Sequence, residues 1–133
     1  MTLRRESVVG GIATVTGLGL VLTTHVLRAL TRPKGMIASV VLGSLPNFGA
    51  GLGLPFLIGS MQELLGRPRL GGRPFNLVCV GVFALLALWE YAQLAFWGYA
   101  FDVNDIVASG IGVALAARVA ALGRGKSSAE SRS

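Results

Sequence analysis

The chain has 133 residues, 53% of them hydrophobic and only 14% charged, with a mean hydropathy of +0.67. Soluble domains carry roughly a quarter charged residues, so the expected solvent is lipid, and the length suffices for one domain. The net charge of +6 does not point to nucleic acid, because Lys and Arg flank apolar runs instead of interleaving with aromatics on one face. Cys79 stands alone, permitting no internal disulfide and matching no metal motif, and reads as a small apolar core residue.

The pattern predicts an all-α, polytopic membrane protein: four spans at about 8–30, 36–61, 75–96 and 103–122 form one domain over 1–122, and a polar tail over 123–133 is expected to be disordered. Arg4 and Arg5 precede an apolar run from Val8 to Leu30 that is too long for a signal peptide and lacks a small-x-small cleavage site, so a retained span is expected. Gly10, Gly11, Gly17 and Gly19 suit it to close helix packing. Thr24, His25 and Arg28 mark its far end, and Arg32-Pro33-Lys34-Gly35 makes a turn.

The second span is interrupted at Ser44-Leu45-Pro46-Asn47 and at Pro55. Pro46 removes a backbone donor, so a kink or an unwound patch is expected, with Asn47 satisfying the freed backbone group. Gly49-x-Gly51-x-Gly53 follows, and with no strand before it and no acid after it the motif reads as helix packing, not as a dinucleotide loop. Residues 63–74 form a basic Pro/Gly loop carrying Arg67, Arg69 and Arg73. In the fourth span Gly112, Ala116 and Ala120 recur at intervals of four as a small-residue stripe, and Arg118 can snorkel to the interface.

Four spans put both termini on one side. Nine basic residues fall on that side and three on the other, Arg28, Arg32 and Lys34. The positive-inside rule therefore makes both termini cytoplasmic and turns the connection after the third span outward, with Trp89, Tyr91, Trp97 and Tyr99 as an interfacial belt.

That outward end holds the unusual chemistry. Glu90 and Gln93 lie on the third span, the chain breaks at Trp97-Gly98, and Asp102 and Asp105 open the fourth. Glu90 is seven residues below Trp97, hence about 10 Å deep. A carboxylate there costs several kcal/mol unless it is protonated, bound to a metal or paired with a cation. One reading is structural: Asp102 caps the fourth helix, and Glu90 pairs with Arg28 or His25 to hold helices together. The other is an acidic pocket formed by Glu90, Gln93, Asp102, Asp105, Arg28, His25 and Ser109 that takes a cation, a proton or a polar head group. A divalent cation at Glu90, Asp102 and Asp105 is one such occupant. No nucleophile-base-orienter set stands out, so no catalytic residue is assigned.

Glu90, Gln93, Gly98, Phe101, Asp102, Asp105 and Gly112 resemble the signature of the VanZ-like family of small bacterial membrane proteins. Tyr99 stands where that family usually has arginine, and Ser109 where it usually has asparagine. The resemblance implies a multi-span helical protein of the cell envelope, binding or acting on an envelope component and linked to tolerance of the glycopeptide teicoplanin. The alternatives are a small transporter or proton- or cation-coupled subunit, which needs a route through the second span to the cytoplasmic side, and a structural partner in a membrane complex. The lipid bilayer is a partner on every reading.

Overall fold

The structure, a computed structural model, describes residues 5–30, 35–98 and 101–130, with side chains over 8–30, 35–98 and 101–123. Arg4, Arg32, Pro33, Lys34, Tyr99 and Arg132 lie outside the described residues, as do the side chains of Arg124 and Lys126. Four helices account for the fold: α1 (Arg5–Leu30), α2 (Met36–Leu64), α3 (Arg73–Trp97) and α4 (Val103–Glu130). Each contains a stretch long and apolar enough to cross a membrane, namely Val8–Leu30, Met36–Leu64, Arg73–Trp97 and Val103–Gly123. The architecture is the expected all-α, multi-pass one.

Local chemistry sets the helix ends. Pro74 occupies the first turn of α3, where its missing N–H is no loss. Gly98 ends α3 in the left-handed region at φ 65°, its N–H donating to the Leu94 carbonyl at 3.2 Å. Only glycine adopts that conformation without strain, which is why the chain turns there. Backbone helix in α4 runs to Glu130, beyond the Gly123 where the polar tail begins. The α2 helix continues through Pro46 and Pro55, so the unwound patch expected there does not form.

The centre of the bundle is α2. It packs most extensively against α1 on one side and α4 on the other; α3 leans on α4 and α2 and, among the described residues, does not pack against α1. Being surrounded, α2 needs apolar or small residues on every side. The glycine triplet shows how. Gly49 and Gly53, one turn apart, face α1, where a Cβ on Gly49 would stand 2.5 Å from the Gly17 carbonyl oxygen and one on Gly53 3.3 Å from the Gly17 Cα. Gly51, two residues from each, faces α4, where a Cβ would stand 2.5 Å from the Ser109 carbonyl oxygen. Gly112 answers from α4, pressed against the Phe48 carbonyl and the Leu52 amide. Two backbone-to-backbone crossings thus close the middle of the bundle. Below them sits the apolar core of Leu52, Phe56, Phe75, Cys79, Val82, Val113 and Ala116, with the Phe56 and Phe75 rings 5.2 Å apart.

Candidate functional site

Above the glycine crossings the interior turns polar. Of the described residues, the buried polar or charged ones are Thr24, Glu90 and Ser109, from α1, α3 and α4. Ser109 stands at the α2–α4 crossing itself, and register places the polar groups above it. Phe56 meets Phe75 and Asn47 meets Glu90, so α2 and α3 are antiparallel; Gly51 and Gly112 cross with α2 and α4 running the same way. Ser44 and Asp105 then each lie about two turns above that crossing.

Glu90 is the centre of this layer and is only 5% exposed. Its Oε1 accepts from Gln93 Nε2 at 3.1 Å, one turn along α3, and from Asn47 Nδ2 on α2 at 3.5 Å. The carboxylates of Asp105 and Asp102 are near enough to act on its charge. Asn47 therefore has a different role from the one expected: its amide points to Glu90 instead of repairing the backbone at Pro46. Both residues sit about mid-depth in the outer half of neighbouring spans, and that shared depth was the available signal.

Asp102 caps α4. Its Oδ1 accepts from the backbone N–H and the side-chain amide of Asn104, both at 2.9 Å, and its carbonyl accepts from the Asp105 N–H at 3.2 Å. This satisfies a donor at the positive end of the helix dipole. Asp105 lies in the first turn of α4, half-buried, and Ser109 Oγ donates to its carbonyl at 2.8 Å. Asp105 Oδ1 and Ser44 Oγ are sealed from solvent and find no hydrogen-bond partner among the described residues. Ser44, one turn from Asn47 on α2, belongs to the same layer and was missed in the sequence; its spacing of three from Asn47 could have revealed it.

The expected pairing of Glu90 with Arg28 or His25 does not occur. Both basic residues are exposed on α1, and the described ion pairs include neither. The reason is topological: among the described residues α1 does not pack on α3, and Arg28 lies seven residues, about 10 Å, beyond Val21, one of the α1 residues packed beside Gly49. Among the described residues no group of three or more His, Cys, Asp and Glu side chains is arranged to hold a metal ion. The site is therefore a buried carboxylate held by two amides, flanked by two further carboxylates, with no basic side chain among the described residues paired to it.

Comparison with family models, curated proteins and solved structures finds no match to this chain.

Proposed function

We propose that the chain is a VanZ-like protein of the bacterial cell membrane whose outward-facing polar layer binds a cationic group of an envelope component. The observation that carries this is Glu90: a carboxylate 5% exposed, fixed by Asn47 and Gln93, beside Asp102 and Asp105 and without a cationic partner among the described residues. A carboxylate kept away from water is either protonated or paired with a cation, and a cationic ligand would supply the second state. An ammonium group suits it, having three donors for Glu90 and the two acids beside it. The bias of basic residues toward the other end of the bundle supports the outward orientation, and the residues from Glu90 to Gly112 that resemble the VanZ-like signature support the family.

The transporter reading fares worse. The glycine crossings bring the backbones of α1 and α4 directly against α2 between the polar layer and the opposite end, which supports a site closed on that side. The test is a tolerance assay in a susceptible bacterium expressing the chain, with membrane levels matched by immunoblot. Wild type is expected to raise the inhibitory concentration of teicoplanin, and Glu90→Gln to abolish the increase. Full retention of tolerance by Glu90→Gln would refute the assignment.

A further inference from the structure

At the end of the bundle opposite Glu90, all four helices and the α2–α3 loop enclose a cavity of ≈ 290 Å³. Its lining divides by chemistry: Val9, Phe56, Phe75 and Val119 are apolar, while Glu63 and Arg69 carry opposite charges. Arg69 Nε stands 3.2 Å from Glu63 Oε1, both side chains about one-third exposed. Space exists because small residues line the wall; a Cβ on Gly59 or Gly71 would meet nothing within 4 Å. The position is equally informative. Val9, Glu63 and Gly123 all line the cavity within a residue or two of where the apolar spans end, which is the level of lipid head groups.

We propose that this cavity binds the phosphoethanolamine head of a bilayer lipid, independently of the Glu90 site. The phosphate takes the planar fork of Arg69, a geometry guanidinium matches with two parallel hydrogen bonds. The ammonium takes Glu63, and the glycerol carbons lie on the Phe56–Phe75 pair. An ion pair about one-third exposed contributes little by itself, so Glu63 and Arg69 can exchange it for the two charges of one ligand while Arg69 keeps its other interaction. Arg67 on the same loop and Arg73 at the start of α3 would favour any anionic lipid. Glu63 is what narrows the choice to a head group bearing an amine. The volume, near the lower end of the roughly 300–1,000 Å³ typical of ligand pockets, fits the head and first carbons and leaves the acyl tails in the bilayer.

Native mass spectrometry of the full chain in detergent tests this, titrating phosphatidylethanolamine, phosphatidylcholine, phosphatidylglycerol and free phosphoethanolamine. Phosphatidylethanolamine should be retained roughly tenfold better than phosphatidylcholine, which has no N–H to donate to Glu63. Arg69→Gln and Gly59→Leu should each lower its retention about tenfold, one by removing the phosphate partner and one by filling the space. Glu63→Gln should erase the preference for the amine while leaving the melting temperature near wild type. Equal retention of the three lipids by wild type, or unchanged retention in Arg69→Gln and Gly59→Leu, would overturn the proposal. Displacement of the lipid by an equal concentration of free phosphoethanolamine would assign the site to a soluble zwitterion and overturn the lipid assignment.

Discussion

Gly51→Ala adds one methyl group at the backbone crossing of α2 and α4. The new Cβ would sit 2.5 Å from the Ser109 carbonyl oxygen and 3.2 Å from the Val113 amide nitrogen, whereas ordinary contact begins at 3.4 Å. The helices must part by about 0.9 Å, the difference between 2.5 and 3.4 Å, because neither obstructing atom belongs to a flexible side chain. Overpacking of this kind costs about 1–3 kcal/mol, and a gap of 0.5–1 Å forfeits roughly a quarter to a half of each dispersion contact along the seam. Alanine also favours helix over glycine by about 1 kcal/mol in water, so a control is needed that carries the same propensity gain without the clash. Gly59→Ala is that control, since its Cβ enters open space on the same helix. Reversible unfolding of purified protein in mixed micelles, followed by circular dichroism, should place Gly51→Ala below Gly59→Ala by about 1–3 kcal/mol. Equal stabilities would refute the view that backbone contact at this crossing holds the bundle.

Asn47→Leu leaves Glu90 with Gln93 as its one remaining described donor and should destabilise by about 1–3 kcal/mol, with partial recovery in Asn47→Leu/Glu90→Leu, where both buried polar groups are gone. A double variant no more stable than Asn47→Leu would show that the two residues do not depend on each other. Asp102→Ala should cost about 0.5–2 kcal/mol and Asp102→Ser much less, because serine also caps a helix; equal losses measured by thermal melting would mean that charge and not capping matters there. The Glu90→Gln/Arg28→Gln cycle should be additive within about 0.3–0.5 kcal/mol, and a larger coupling would show that the two residues meet after all. With Cys79→Ala as background, a single cysteine at Phe101 should react with an impermeant thiol reagent in intact cells and one at Gly71 should not; the reverse pattern would put the Glu90 site in the cytoplasm.

Much of this molecule is legible along the chain because membrane helices are written in one-dimensional terms. Runs of apolar residues without charge have no stable alternative to spanning, Gly98 stops α3 because glycine alone adopts its φ of 65°, and Asp102 is placed to cap the helix that starts at Val103. The small-residue motifs likewise announce close packing, since a missing side chain is visible in the sequence itself. Which partner fills each gap is not. Gly49 and Gly53 face α1 while Gly51 faces α4, and that division follows from α2 lying between them, a matter of bundle arrangement that no local pattern encodes. The same arrangement decided the partner of Glu90. Depth and charge nominate Arg28, but depth measures only one coordinate; the order of helices around the bundle supplies the second, and it separates α1 from α3 while setting Asn47 of α2 beside the carboxylate. The Glu63–Arg69 cavity needed tertiary structure altogether, because it exists only where five separate stretches of chain fail to fill the space between them.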